Sequence, residues 1–305
     1  MDYTELIDKY PDLIIKENEA LANYTYTETG GPADLLFFPQ SLAEVSAVID
    51  WTAQKDYPLT ILGNASNLIV RDGGIRGVTV ILTELNQMQV KDQHIIVEAG
   101  AAIIDLSELA YEASLTGLEF ACGIPGSVGG AVYMNAGAYG GEVKDVIETV
   151  TVLTRTGEIK ELANKEMQFR YRNSVLQETK DIVLSITFKL KPGNQEKIRA
   201  QMDELTFLRT SKQPLEYPSC GSVFKRPEGH YTGKLIQDAG LQGLIWGGAQ
   251  VSTKHAGFIV NIAKATATDY IELIHHIQEV IFKQYGVKLE REVHIIGESI
   301  SERIK

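Results

Sequence analysis

Two glycine-rich tracts, each placed where an apolar run ends, constrain this chain more than any other feature of its sequence. The first is Gly63-Asn64-Ala65-Ser66-Asn67. The second runs from Gly123-Ile124-Pro125-Gly126-Ser127-Val128-Gly129-Gly130 through Asn135-Ala136-Gly137-Ala138-Tyr139-Gly140-Gly141. Backbone without side chains can come close to an anion, and successive N–H groups then form a concave nest that takes a diphosphate. Ser66 and Ser127 would add hydroxyl donors. The same residues also make tight turns, and Asn67 and Asn135 suit left-handed turn geometry as well as they suit a ligand. Neither tract matches G-x-G-x-x-G, and no G-x-x-x-x-G-K-[ST] occurs, so neither a Rossmann unit nor a P-loop is expected.

The segments around the tracts alternate. Apolar spacing at Leu6, Tyr10 and Leu13, offset by Pro11, predicts a helix over the first eighteen or so residues. ADLLFFP reads as a strand, and SLAEVSAVIDWTAQK as a helix with Ser41 and Glu44 at capping-box spacing. PLTILG, the strands within GNASNLIVRDGGIRGVTVIL, and HIIVEAG followed by the helix AAIIDLSELAYEASLTG continue the alternation, with Gly117 placed to stop that helix. VIETVTVLTRTGEIKEL predicts a hairpin, DIVLSITFKLKP a strand, and NQEKIRAQMDELTFLRT a linking helix near residue 200. TATDYIELIHHIQEVIFKQYG is an amphipathic helix whose apolar face is Ile271, Ile274, Ile277, Ile281 and Tyr285, with Gly286 as its stop. His275 and His276 on it read as solvated surface, and KLEREVHIIG closes the chain as strand.

At 305 residues the chain has room for two or three packed units. With 44% hydrophobic and 23% charged residues it has a globular composition, and no apolar run is long enough to span a membrane. The acidic start MDYTELIDKYPDLII lacks the basic-then-apolar order of an export leader, so a cytoplasmic protein without membrane partners is expected. A net charge of -11 argues against nucleic acid as a partner. An anionic nucleotide remains possible, given a local pocket of a few Arg and Lys with backbone N–H groups. Cys122 and Cys220 are too few for a metal cluster or a disulfide framework and read as buried free thiols; no metal is expected.

GNASNLIVRD, GIPGSVGGAVYMNAGAYGGEV, FRYRNSVL, SCGSVFKRP and LEREVHIIG, in that order, resemble the UDP-N-acetylenolpyruvoylglucosamine reductases. The resemblance extends from TGGPAD at residues 29–34 to the last strand. It implies an α+β fold: an FAD-binding unit of the vanillyl-alcohol-oxidase/PCMH type over residues 1–200, in two subdomains at about 1–85 and 86–200, and a C-terminal α+β substrate-binding domain over 201–305. Two departures from the family pattern stand out. Ala65 occupies a position where the family commonly has Gly, which would strain the loop if φ is positive there. The interval from Arg172 to Ser222 is too short for the element that brings a tyrosine over the substrate in the family's longer form, so this chain resembles the short form. GNASN holds neither His nor Cys for covalent flavin attachment, and the FAD is expected to dissociate.

The implied activity is NADPH-driven, FAD-dependent reduction of the enolpyruvyl group of a UDP-linked amino sugar, in peptidoglycan precursor synthesis. A sugar or alcohol oxidase on the same flavin fold, or a non-catalytic flavin-binding module, would share the glycine tracts. By the resemblance, Arg172 meets the negative charge that develops toward the substrate carboxylate, Glu292 hydrogen-bonds the same enolate-like centre, and Ser222 gives a proton to the second carbon. A carboxyl beside the substrate carboxylate would have its pKa raised by the like charge. Glu290, two residues earlier, is not carried over as a candidate for that role. FAD contacts are expected from Gly63, Asn64, Ala65, Ser66, Asn67, Gly123, Ile124, Pro125, Gly126, Ser127, Gly130, Asn135, Gly137, Ala138 and, from the linking helix, Arg209; phosphate contacts to substrate or NADPH are expected from Lys212, Lys225 and Arg226. Without a Rossmann unit, NADPH and the sugar nucleotide are expected to alternate in one pocket, on a monomer or weak oligomer.

Overall fold

Pro11 decides the start of the chain. The residue before a proline is disfavoured in the helical region, and in the computed structural model, which describes residues 2–304, the first helix is only α1, Thr4–Lys9. The chain then extends as β1, Ile14–Ala20, so the single helix expected over these eighteen residues is a short helix and a strand. β2 (Pro32–Phe38) leads to α2 (Leu42–Gln54). Ser41 Oγ accepts from Glu44 N at 3.3 Å, whereas the Glu44 carboxylate accepts from Gln40 N at 2.8 Å, one residue before the position a capping box would use. β3 (Leu59–Leu62), β4 (Leu68–Val70), β5 (Ile75–Ile81), β6 (Met88–Lys91) and β7 (His94–Glu98) precede α3 (Ile103–Glu112). Ser114, at φ 57°, takes the left-handed position that ends α3. Gly117 lies beyond β8 (Leu115–Thr116) and serves the turn there.

Next come α4 (Val128–Met134), the two-residue strands β9 (Gly137–Ala138) and β10 (Gly141–Glu142), and the hairpin β11 (Ile147–Leu153) and β12 (Ile159–Ala163). α5 (Leu176–Thr179), β13 (Ile182–Lys189), β14 (Lys191–Pro192) and α6 (Gln195–Lys212) follow. The C-terminal part holds β15 (Ser219–Ser222), α7 (Thr232–Asp238), β16 (Ile245–Trp246), β17 (Ala249–Val251), β18 (Phe258–Asn261), α8 (Ala267–Tyr285), β19 (His294–Ile296) and α9 (Ile300–Arg303). The expected closing strand is therefore short; Lys288–Arg291 is irregular, joined to the rest by a bridge between Phe224 and Arg291.

The chain divides into two compact units: residues up to 16, 36–64 and 77–209 form one, and 17–35, 65–76 and those from 210 on form the other. The first is built on an antiparallel sheet of order β12-β11-β13-β7-β6, where Val150, Val152, Ile186, Val97 and Ile95 are buried. α4 packs close to this sheet because Gly129 has no side chain: a Cβ there would lie 2.9 Å from Ala99 Cβ. The second unit is an antiparallel sheet of order β15-β18-β17-β16 against α8, with β4 and β19 as a parallel pair. The buried stripe of α8 is Tyr270, Leu273, Ile274, Ile277 and Ile281. Ile271 is only partly covered, and Tyr285 is 41% exposed, because the stripe runs one position earlier than expected and the helix outlasts the sheet. His275 is exposed and His276 lies against Trp246, ring centroids 5.3 Å apart. Cys220 is buried and its thiol is pushed up to about 12 by desolvation; Cys122 is only partly covered. No helix among the described residues is long and apolar enough to cross a membrane, and they contain no group of His, Cys, Asp and Glu that could hold a metal.

The start of α8 is held twice. Thr266 Oγ accepts from Asp269 N at 3.0 Å, and the Asp72 carboxylate accepts from Ala267 N and Thr268 N, each at 2.9 Å. Three N-terminal amides of the helix are thereby satisfied. Asp72→Ala leaves two of them without their carboxylate and is expected to lower stability by about 2 kcal/mol; urea unfolding at neutral pH measures this, with an unchanged slope showing that the folded state keeps its compactness.

Candidate functional site

In the first unit the end of β3 comes so close to the start of α4 that a Cβ on Gly63 would collide with Ser127 Oγ. That hydroxyl caps α4, accepting from Gly130 N at 3.2 Å. Val128 N and Gly129 N donate to Ala101 O and Ala99 O, both at 2.8 Å, so the first amides of α4 are used by the protein. The amides of Gly126 and Ser127 donate to no protein acceptor among the described residues. They belong to the turn that begins at Gly123.

Arg209, near the end of α6, lies against this turn. A Cβ on Gly123 would sit 2.7 Å from Arg209 Cδ, so only glycine lets the arginine in. Burial lowers the guanidinium's pKa, and among the described residues no carboxylate or carbonyl takes its protons. A largely desolvated cation without an acid partner, beside amides without acceptors, is a site that calls for an anion. A dinucleotide diphosphate fits those donors, and FAD is therefore compatible with the residues present.

The second tract continues into Asn135, which ends α4 at φ 45° and is 1% exposed. Its Nδ2 donates to Glu142 Oε2 at 3.0 Å and to Arg170 O at 3.1 Å, and its Oδ1 accepts from Lys144 N at 3.1 Å. Arg172 stands at φ 53° in the tight turn closed by paired Arg170–Asn173 backbone hydrogen bonds. Its Nη2 donates to Gly137 O at 3.1 Å. The Lys144 ammonium, then Asn135 and the field of Arg172, hold the Glu142 carboxyl below the ordinary carboxylate range.

The second unit carries Ala65, Ser66 and Asn67. Ala65 is buried at φ 45°, the left-handed conformation that glycine would adopt without strain. Asn67 Nδ2 donates to Glu292 O at 3.3 Å, and Asn67 O accepts from His294 N at 3.2 Å. Ser222 ends β15 after a register shift, with Gly221 at φ 76° supplying the bulge that redirects the serine. Its hydroxyl makes no hydrogen bond to the protein among the described residues. Glu292 N donates to Val223 O at 2.8 Å and Lys225 N to Glu290 O at 2.9 Å, so Ser222 and Glu292 sit on segments fastened to each other. Glu290 lies in the irregular stretch, exposed, with its carboxylate 3.5 Å from Lys225 Nζ. Arg226 stacks 3.9 Å over Tyr231, and Lys212 is exposed at the end of α6.

Several residues at these sites were not foreseen. Gly221 carries the bulge before Ser222, Gln177 bonds the carbonyl of Arg172, and Glu142 faces Asn135. Gly221 had a readable signal, a glycine inside a strand. Gln177 and Glu142 act through contacts between distant turns and leave no trace in local spacing.

The fold is α+β, with an FAD-binding domain and a C-terminal α+β domain, and the protein is a flavin oxidoreductase by class. An FAD binding domain family matches residues 33–163, and the UDP-N-acetylenolpyruvoylglucosamine reductase C-terminal domain matches 213–296. The UDP-N-acetylenolpyruvoylglucosamine reductase of Pediococcus pentosaceus is 61% identical over 293 residues, covering 96% of this chain and 98% of its own. That of Enterococcus faecalis is 58% identical over 300 residues, covering 98% and 100%. The crystal structure of the Thermus caldophilus reductase superposes with a TM-score of 0.82 at 35% identity, over 93% of this chain and 100% of that one. This chain belongs to the UDP-N-acetylenolpyruvoylglucosamine reductase family.

The left-handed alanine gives a test of the first loop that needs no turnover. Ala65→Gly is expected to stabilise the apoprotein by about 1 kcal/mol, the strain relieved less the backbone entropy lost, and to leave FAD bound. Gly63→Ala should do the opposite, driving Ser127 out of its cap and lowering FAD affinity. Thermal unfolding of the apoproteins, with flavin titration, reads both.

Proposed function

We propose that the first unit holds the flavin and Arg172 and that the second contributes Ser222 and Glu292, with a division near residue 200 between FAD-binding and substrate-binding parts. The reaction is FAD-dependent, NADPH-driven reduction of the enolpyruvyl group of UDP-N-acetylglucosamine enolpyruvate to UDP-N-acetylmuramate, in peptidoglycan precursor synthesis. FAD, when bound, supplies the hydride it has taken from NADPH.

The side chains supply the rest. Gly63, Gly123, Gly126, Ser127 and Gly130 form the surface against which a diphosphate rests, and Arg209 gives it a counter-charge. Arg172 presents a guanidinium, anchored through Gly137 O, to the substrate carboxylate. Negative charge grows there as hydride arrives at the neighbouring alkene, so this fixed cation is worth more in the transition state than in the ground state. Glu292 hydrogen-bonds the same developing enolate. Ser222 delivers the proton to the second alkene carbon; a serine is a weak acid, so its contribution depends on being held in place. Lys212, Lys225 and Arg226 are proposed phosphate contacts, Lys225 exchanging its Glu290 partner for the ligand. NADPH and the sugar nucleotide use one pocket in alternation. The enzyme works in the cytoplasm as a monomer or weak oligomer, without membrane or nucleic-acid partners.

The observation that carries this reading is the bulge at Gly221, which turns out a serine whose hydroxyl the protein leaves unused, on the segment bonded to that of Glu292. Ser222→Ala should keep its yellow flavin and be bleached by NADPH at the normal rate. Return of colour on adding the enolpyruvyl nucleotide should slow by roughly 100-fold or more. Colour returning at the wild-type rate in stopped-flow would remove Ser222 from the mechanism.

A further inference from the structure

Arg172 occupies a turn position that costs any residue except glycine, asparagine or aspartate on the order of 1–2 kcal/mol, and the surrounding protein holds it there from both sides. Two of the turn's carbonyls accept side-chain hydrogen bonds from outside it. Arg170 O accepts from Asn135 Nδ2 at 3.1 Å, and Arg172 O accepts from Gln177 Nε2 at 3.1 Å. Gln177 is itself fixed: Nε2 also donates to Tyr133 O at 3.1 Å, and Oε1 accepts from Asn173 Nδ2 at 3.2 Å. Tyr133 O, a carbonyl near the C-terminus of α4, accepts from Ser174 Oγ at 2.8 Å as well. Asn135 and Gln177 thus tie the turn to the end of α4.

Asn135 has two amide protons and an acceptor oxygen, and all three have protein partners: Glu142, Arg170 and Lys144. The side chain is almost wholly buried. A group satisfied in this way has no donor left to offer a cofactor, though it stands in a tract expected to contact one.

We propose that Asn135 and Gln177 are positioning residues that fix the Arg172 guanidinium for the enolpyruvyl half of the cycle, and that Asn135 is not a flavin ligand. The proposal rests on the assignment of Arg172 to the substrate carboxylate. Asn135→Gly keeps the left-handed backbone and removes only the side chain; Gln177→Ala tests the other carbonyl and leaves Asn135 in place. Purified with FAD, both variants should hold flavin with wild-type affinity and be reduced by NADPH at the wild-type rate. Reoxidation by the enolpyruvyl nucleotide should slow by roughly 10- to 100-fold, as expected for a guanidinium displaced by about an ångström. In an Arg172→Ala background the same substitutions should slow reoxidation no further.

Three results would overturn the proposal, and they separate its failure from that of the Arg172 assignment. Loss of flavin affinity in Asn135→Gly, with both half-reactions slowed, makes Asn135 a cofactor or folding residue. Normal reoxidation by both variants beside a slow Arg172→Ala, or an undiminished further effect in that background, removes the positioning role and leaves Arg172 standing. Normal reoxidation by Arg172→Ala removes Arg172 itself, and the positioning role with it.

Discussion

The first unit depends on a close approach that only a missing side chain allows. Where β3 ends, Gly63 lies against the Ser127 hydroxyl, and that hydroxyl caps α4. One atom therefore sets the spacing of two loops and the origin of a helix. α4 is short, running from Val128 to Met134, and each of its ends carries chemistry. At its start are the glycine turn and Arg209; at its end are Asn135 and the turn that bears Arg172. Seven residues of helix thus separate the turn proposed for the diphosphate from the turn that bears the proposed guanidinium.

The second unit solves a similar problem with a sheet. Gly221 lies at the register shift of β15, after which Ser222 pairs with Phe258, while the amide of Glu292 and the carbonyl of Val223 hold the next segment alongside. Asn67 fastens the carbonyl of Glu292 through its side chain, and β4 then pairs with β19 from Leu68 onward. The first glycine tract thereby runs straight into the strand that steadies the carboxylate's neighbours. Asn67 and Asn135 play parallel parts: each stands in a glycine tract, and each gives its amide to the backbone of a segment with a proposed chemical role.

Much of this was legible in the sequence because it rests on local chemistry. The capped helix at Ser41, the hairpin at TRTGE and the two glycine tracts all follow from short-range preferences. Ala65 was readable as a residue in glycine's place, and its φ of 45° bears this out. The misread parts turn on tertiary contacts. Ile14 and Ile15 could continue a helix by spacing, but β1 gains more by pairing in a sheet. Gly117 was the obvious stop for α3, yet Ser114 takes that position, its carbonyl held by Gly193 N at 2.8 Å. Glu290 and Glu292, two residues apart, would share a face of a regular strand, but the stretch is irregular: Glu290 is exposed beside Lys225, and Glu292 N donates to Val223 O. The partners of Arg172 were invisible, since Asn135, Glu142 and Gln177 reach it only after three turns have been folded together.

The chain's charge makes this arrangement intelligible. A protein at -11 repels a nucleotide sugar, FAD and NADPH alike, and exposed lysines would compensate only weakly in physiological salt. Backbone amides and half-buried guanidinium groups are different, because water and counter-ions screen them far less. Arg209 is kept desolvated beside a glycine turn, at the cost of a lowered pKa, and Arg172 is held in a backbone conformation that most residues avoid. Each is a penalty accepted in the free protein. On the proposed assignment the arriving anion meets these two cations, and the rest of the surface can remain acidic.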